Sequence, residues 1–386
     1  MPGNPPPNSH RTLAALADQA LVTGLLDDWL AQRGRPSARP WRREYARYHP
    51  GQDPWAVCLY EGANDCLLRL EALAGPQRAN LTHSALGPVL ITEFPDDPAL
   101  PGLADVMAML ERPRVVRYRP GHRCTLRGYA TGGERFVKVI PGGERIYADA
   151  LQLWKAFQSG EFSMTVAEPY GWHEPTQSFW QGVVHGGPAL VEVLGPKAEA
   201  FVRRLGVSLG ELASCKLQPS LSSAPAEHLQ RTTRALSRAT LAMPLLERRI
   251  EQVRIEFERR HAALPHRALV PVHGAPHVHQ WLVQGTRLGL LDFDRFALGE
   301  PEYDLATFLA ELDTERGLQR PVQAIEAALF EGFESKGARI DRGRAALYRA
   351  HKRVAKVART AWALRADARQ RAEHHLQTVE VMLERT

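Results

Sequence analysis

The 386-residue sequence predicts an α+β protein of two lobes, a β-rich N-terminal one and a mostly helical C-terminal one. Three observations predict it. Two strand–turn–strand segments lie ahead of residue 141, one around Pro50-Gly51 and one around Pro120-Gly121. A small-residue break, Gly186-Gly187-Pro188, follows them. From about residue 195 onward, apolar residues recur mainly at helical spacing.

In chain order, residues 1–11 are Pro-rich and polar, and predict a disordered tail. The tail has neither the basic start nor the apolar middle of a secretory signal. Residues 12–33 have helical spacing and stop at Gly34 and Pro36. Arg47-Tyr48-His49-Pro50-Gly51 then leads into Trp55–Tyr60, and Arg117-Tyr118-Arg119-Pro120-Gly121 leads into Cys124–Tyr129. Both read as strand, turn, strand, and two copies are too few for a repeat architecture. A Thr131-Gly132-Gly133 turn opens a further strand, Phe136–Val139, and a helix is predicted over 144–158. Residues 177–185 predict a buried strand that runs into the Gly186-Gly187-Pro188 hinge. Beyond it, Phe201, Leu205, Leu209 and Leu212 form a helical stripe, 218–225 is a Pro/Ser-rich break, and 228–263 predicts one or two charged helices. Residues 321–334 and 342–385 are helical again, with Arg349, Lys352, Lys356 and Arg359 on one face expected to be solvated. The chain thus divides into a tail (1–11), an N-terminal extension of the small lobe (12–110), the small lobe (111–185) and the helical large lobe (186–386).

With 44% hydrophobic and 24% charged residues, the composition is that of an ordinary globular protein. No apolar run approaches the ~18–20 residues of a membrane span. The four cysteines, Cys58, Cys66, Cys124 and Cys215, are scattered, which argues against a disulfide framework and for a reducing, cytoplasmic setting. The net charge of +6 favours anionic ligands such as nucleotides and argues against a polycationic substrate. It is spread along the chain, so nucleic acid is not the expected partner.

Residues 273–304 carry the most specific signal. They read His273-Gly274-Ala275-Pro276-His277-Val278-His279-Gln280, a short strand, then Leu291-Asp292-Phe293-Asp294 and Gly299-Glu300-Pro301-Glu302-Tyr303-Asp304. This resembles the catalytic and metal-binding segment of the aminoglycoside phosphotransferase and choline kinase family, which usually writes His-Gly-Asp-x-x-x-x-Asn, then Asp-Phe-Asp, then Gly-Asp-Pro-x-Tyr-Asp. The resemblance implies a bilobal protein-kinase-like fold over about 110–385, with ATP and Mg²⁺ as cofactors and a small molecule bearing a hydroxyl as acceptor.

Carried over position by position, the resemblance assigns metal binding to Asp292, Asp294 and Gln280. Asp292 supplies a hard carboxylate oxygen at a strand end, and Gln280 an amide oxygen one methylene longer than the usual Asn. Nucleotide contacts fall to Lys138 on the third strand of the small lobe, to Gly121 in the phosphate-covering turn, and to Gln181 and Val183 at the hinge. A helix carboxylate partner for Lys138 is not evident, since Glu144 and Asp149 are both poorly spaced for it. Asp304 would brace the backbone of the catalytic loop. The candidate catalytic positions are Ala275, His273 and His277. Ala275 occupies the place of the proton-accepting Asp, and a methyl group can neither orient a hydroxyl nor take its proton. General-base assistance is worth ~10²–10⁴-fold, so kinase turnover of roughly 1–100 per second would fall to about 10⁻⁴–1 per second. His277 and His279 stand two and four positions on as alternative proton acceptors. The three histidines lack the His-Glu-x-x-His zinc pattern. Two functions follow: a small-molecule phosphotransferase with an impaired catalytic loop, or a pseudokinase that senses a nucleotide or metabolite or binds a protein partner.

Overall fold

The computed structural model describes residues 15–49, 55–72, 82–84 and 87–384, and has two sheet-bearing N-terminal units and a helical C-terminal lobe. The tail over 1–11 and the Pro50-Gly51 turn lie outside the described residues.

The first unit opens with α1 (Gln19–Ala31), whose first turn is capped by Asp18: its carboxylate accepts the N–H groups of Ala20 and Leu21. Five strands follow, β1 (Arg42–His49), β2 (Trp55–Glu61), β3 (Leu67–Ala72), β4 (Thr82–Ser84) and β5 (Gly87–Glu93), forming an antiparallel sheet in the order β1-β2-β3-β5-β4. Strand β2 is buried on both faces, which explains its nearly unbroken apolar sequence. Ala56, Cys58 and Tyr60 pack with Leu26 and Trp29 of α1 and with Leu364 from the far end of the chain. Leu59, on the opposite face, packs with Leu103, Val106, Leu126 and Val137 of the next unit.

That next unit begins with α2 (Leu103–Met109) and continues through β6 (Glu111–Arg119), β7 (Arg123–Ala130), β8 (Gly133–Val139), α3 (Glu144–Gln158), β9 (Pro169–His173) and β10 (Ser178–Gln181). Its antiparallel sheet has the order β6-β7-β8-β10-β9. Ile146, Leu153 and Ala156 are the buried apolar stripe of α3.

The large lobe contains β11 (Gly187–Pro188), α4 (Leu190–Leu194), α5 (Ala198–Ser214), β12 (Leu221–Ser223), α6 (Pro225–Ala242) and α7 (Glu247–Ala262). It continues with β13 (Val270–Val272), β14 (Trp281–Gln284), β15 (Arg287–Leu290), β16 (Ala297–Gly299), α8 (Pro301–Leu312), α9 (Val322–Glu334), α10 (Arg342–Ala361) and α11 (Ala368–Glu384). Two three-stranded sheets, β11-β14-β15 and β12-β16-β13, carry the motif segment. Thr165, on the linker from α3 to β9, bridges to Gly289 of β15 and ties the lobes together behind the cleft. Among the described residues, no helix is long and apolar enough to cross a membrane.

The expectation of a solvated cationic face on α10 is corrected. Lys356 is buried and contacts Glu311 at 3.2 Å and Thr314 Oγ1 at 3.0 Å. Arg349 pairs with Asp313 and Glu326, and Lys352 donates to the Tyr303 hydroxyl at 2.7 Å. Arg359 is exposed. The helical period located this face correctly, but acids on α8 and α9 and in the turn after α8 cover most of it.

Candidate functional site

Strand β8 lies inside the second sheet, with Lys138 opposite Thr125 of β7 and Phe179 of β10. Val137 and Val139 enter the core, and the two-residue period of the strand turns Lys138 to the other face, toward the large lobe. From that lobe β15 delivers Asp292, whose backbone is left-handed at φ 68°, and a single 3₁₀ turn then brings Asp294 to the same side. An αL residue at a strand end is uncommon, and Asp is one of the few types that adopt it readily.

The two acids meet the cations of the small lobe. The Lys138 ammonium donates to Asp292 Oδ1 at 2.7 Å and also to Asp294 Oδ1. Arg123, the first residue of β7, donates to Asp294 Oδ2 and stands 3.7 Å from Asp292 Oδ2. Gln280 Nε2 donates to Asp292 Oδ2 at 3.3 Å, which leaves the Gln280 Oε1 atom buried without a partner. Arg145, in the first turn of α3, gives both terminal nitrogens to the Asp294 carbonyl at 3.3 and 3.2 Å. Burial opposes the charge on Asp292, but Lys138 and Arg123 hold its carboxyl far below the ordinary range. Burial likewise pulls the Lys138 ammonium down, and the pair Asp294 and Asp292 raises it by more. Lys138 therefore finds its carboxylates across the cleft and not on α3. Asp149 instead accepts the backbone N–H and hydroxyl of Ser220 at 2.9 and 2.8 Å.

The loop over 273–280 is held from below. Asp304 accepts the N–H groups of His273 at 2.6 Å and Gly274 at 2.8 Å. Its burial pushes the carboxyl up to about 7 against those two bonds. His273 accepts the Ala275 N–H on Nδ1 at 3.2 Å, so its Nε2 carries the proton and donates to the Leu291 carbonyl at 2.9 Å. Burial brings its pKa down to about 4, so the ring is neutral and both nitrogens are occupied by the backbone. Gly274 has φ 82°, and a Cβ there would lie 2.3 Å from the Arg295 carbonyl oxygen. Ala275 is half-exposed at the crest of the loop. His277 is half-buried, with burial lowering its pKa, and its Nδ1 has no partner. His279 is exposed and reaches Glu315 at 3.0 Å.

Gly121, with φ 72°, donates its N–H to Asp97 Oδ2 at 2.7 Å. Gln181 lines a small cavity with Lys138, Ile146, Leu153, Phe179 and Asp292. Val183 lies just beyond β10, half-buried in the segment that leads to β11. Sequence reasoning brought Lys138, Asp292, Asp294 and Gln280 to one place and missed Arg123, Arg145 and Asp97. A signal existed only for Arg123, which follows the Pro120-Gly121-His122 turn directly.

A model of the phosphotransferase enzyme family, designated APH, matches residues 125–348, more than half of the chain. The chain belongs to the phosphotransferase enzyme family. No curated protein matches it. Among solved structures, this phosphotransferase-family chain resembles a choline/ethanolamine kinase family protein from Mesorhizobium loti at 16% identity and TM-score 0.50, covering 68% of this chain and 85% of that one. It resembles a choline kinase from Streptococcus pneumoniae at 14% identity and TM-score 0.50, covering 71% and 96%. A spectinomycin phosphotransferase solved with ADP and spectinomycin is similar at 12% identity and TM-score 0.50, covering 72% and 94%. At these identities the likeness establishes the fold, which is bilobal and protein-kinase-like.

The family implies a divalent ion, and the side chains as they stand do not fit one. All four carboxylate oxygens of Asp292 and Asp294 already face N–H donors. Among the described residues, no group of three or more His, Cys, Asp or Glu side chains could hold a metal.

Proposed function

We propose that the interlobe cleft binds ATP, and that this phosphotransferase-family protein transfers phosphate to the hydroxyl of a small molecule only weakly. The convergence of Lys138, Asp292 and Asp294 across the cleft carries the nucleotide part. A similar fold has been solved with ADP, and another as a ternary complex with ATP and streptomycin. In phosphoryl transfer the protein mainly positions the phosphates and neutralises their charge, and a buried ammonium is suited to that task. Gln181, which lines the small cavity beside Lys138, and Val183 just after it are the residues assigned to the base in this reading.

Ala275 supports the weak-transfer part. The acceptor hydroxyl would meet a methyl group; both nitrogens of the adjoining His273 are committed to the backbone, which leaves His277, neutral and with Nδ1 unpartnered, as the candidate proton acceptor of the loop. The positive net charge makes a polycationic acceptor a poor match. All four cysteines are free, which supports a reducing, cytoplasmic setting.

The same Ala275 supports a second reading, a pseudokinase that senses a nucleotide or metabolite or binds a protein partner without transferring phosphate. ATP consumption by the protein and by Ala275→Asp, across a panel of sugars, amino alcohols and antibiotics, separates the two. Slow turnover by the parent, lost in His277→Gln, supports the weak enzyme. No turnover by the parent with turnover by Ala275→Asp supports the pseudokinase. If no nucleotide raises the melting temperature of the parent, with or without Mg²⁺, both readings fail.

A further inference from the structure

The cleft supplies its own cations. The carboxylates of Asp292 and Asp294 carry two negative charges, and Lys138 and Arg123 carry two positive charges within 4 Å of them. Each of the four carboxylate oxygens already faces an N–H donor, so a divalent ion would compete with Lys138 and Arg123 on three of them and with the Gln280 amide on the part-exposed fourth. Arg123 also keeps capacity to spare. Its Nε–H is buried without a partner, while the guanidinium as a whole remains partly exposed to the cleft. Around it the field is positive beyond what the two acids balance. Arg145 caps the Asp294 carbonyl, and burial together with Arg117, Arg123 and Arg295 makes Arg119 a weaker base than usual. A site with that surplus favours a polyanion over a further cation.

We infer that Arg123 stands in for the divalent ion, so that this cleft binds a nucleoside triphosphate without Mg²⁺. The inference rests on the nucleotide reading above and adds to it the charge form of the ligand, the free tetra-anion instead of its magnesium complex. The Arg123 guanidinium keeps Asp294 neutralised on one edge and offers its remaining N–H groups to the phosphates, with Lys138 beside it. A planar guanidinium with five donors can bridge a carboxylate and a phosphate in this way, whereas an ammonium is a single point of charge. The arrangement also explains how Gln280 is accommodated: its amide turns an N–H, not its oxygen, toward Asp292.

The test is the ATP-induced shift in melting temperature, and the affinity by titration calorimetry, measured in EDTA and in excess Mg²⁺. The variants are Arg123→Gln and Arg123→Lys in the full chain. The expected result is that the parent binds ATP in EDTA at least as tightly as with Mg²⁺. Arg123→Gln loses binding in EDTA by tenfold or more and gains binding that requires Mg²⁺, because Asp294 Oδ2 loses its cation and, with Asp292 Oδ2 beside it, is left to face the ion. Arg123→Lys keeps measurable binding in EDTA, which guards against mere misfolding of the Gln variant. If the parent binds ATP only with Mg²⁺, the inference is overturned while the nucleotide reading stands. If Arg123→Gln binds ATP in EDTA as well as the parent, Arg123 is not the cation concerned and the inference is overturned. If the parent binds ATP under neither condition, the inference and the nucleotide reading fall together.

Discussion

Asp97 holds Gly121. The carboxylate, buried after β5, accepts the backbone N–H of the glycine turn at 2.7 Å, and with its other contacts it accepts the Tyr118 hydroxyl at 2.8 Å and the Arg69 guanidinium at 2.7 Å. Arg69 belongs to β3, so the first sheet braces the Gly121 turn, which is proposed to cover the phosphates. The same sheet reaches the large lobe, where Arg43 donates to the Leu364 carbonyl at 2.7 Å and Tyr48 packs on Trp362 at 4.8 Å between ring centroids. The N-terminal unit therefore spans both sides of the cleft.

Asp97→Ala is expected to cost about 3–5 kcal/mol, the usual range for breaking a buried ion pair by removing one partner. It also frees the Gly121 turn. The expected outcome in urea denaturation is a lower midpoint with an unchanged slope, accompanied by weaker ATP binding. A stability loss with ATP affinity intact would show that the brace does not set the shape of the turn.

Lys138→Met leaves Asp292 and Asp294 facing each other with Arg123 as their remaining strong cation. The carboxyl of Asp292, now held far below its ordinary range mainly by Lys138, should rise toward it. Affinity for ATP should fall more than affinity for adenosine, because the lost charge would meet phosphate and not the base. Calorimetry with both ligands checks this, and equal losses would place Lys138 outside the phosphate site.

The parts of the site that were legible in the sequence are those set by local pattern. The alternation around Lys138 and the apolar run ending at Asp292 each determine a side-chain direction within a few residues. The contacts that complete the site are set by docking of the lobes. Arg123 and Asp294 are 171 positions apart, and nothing local to either names the other. The same limit misread α10, where Arg349 and Lys356 lie on a helical face as expected but meet acids from Asp313, Glu326 and Glu311. The missing helix partner of Lys138 was visible as an absence at Glu144 and Asp149, but where the lysine went instead was not.

Helices α5 and α9 approach so closely that a side chain fits at neither of two facing glycines. A Cβ on Gly206 would lie 2.2 Å from the Leu329 carbonyl oxygen, and one on Gly332 would lie 2.0 Å from the Arg203 carbonyl oxygen. Alanine is the better helix former by about 1 kcal/mol, but here the backbones must move apart. Gly206→Ala and Gly332→Ala should each lower stability by about 1–3 kcal/mol in denaturant titration. A stabilised Gly332→Ala would mean that the two helices slide apart at little cost.

The large lobe should weaken in acid through a buried group of histidines. His351 contacts Thr232 on its Nδ1 and His261 on its Nε2, while His228 stacks on Tyr303 and bonds to Ser223. Burial drives all three toward the neutral form: the pKa of His228 falls to about 3, that of His261 to about 4, and that of His351 well below its ordinary 6.5. Neighbouring cations such as Lys352 and Arg344 add to the effect. In the unfolded chain each ring would protonate near 6.5. A depressed folded pKa gives stability that is complete above the unfolded value and is lost as pH falls toward the folded one. The window is therefore from about pH 6.5 down to about pH 4, with each fully buried ring adding a slope of about 1.4 kcal/mol per pH unit. Urea unfolding of the parent at pH 7, 6 and 5 should show that steep loss. His228→Phe keeps the ring stacking on Tyr303 and removes one proton site, so it should start less stable at pH 7, having lost the Ser223 bond, and fall less steeply. Parallel pH profiles for the parent and His228→Phe would show that His228 is not part of the acid response.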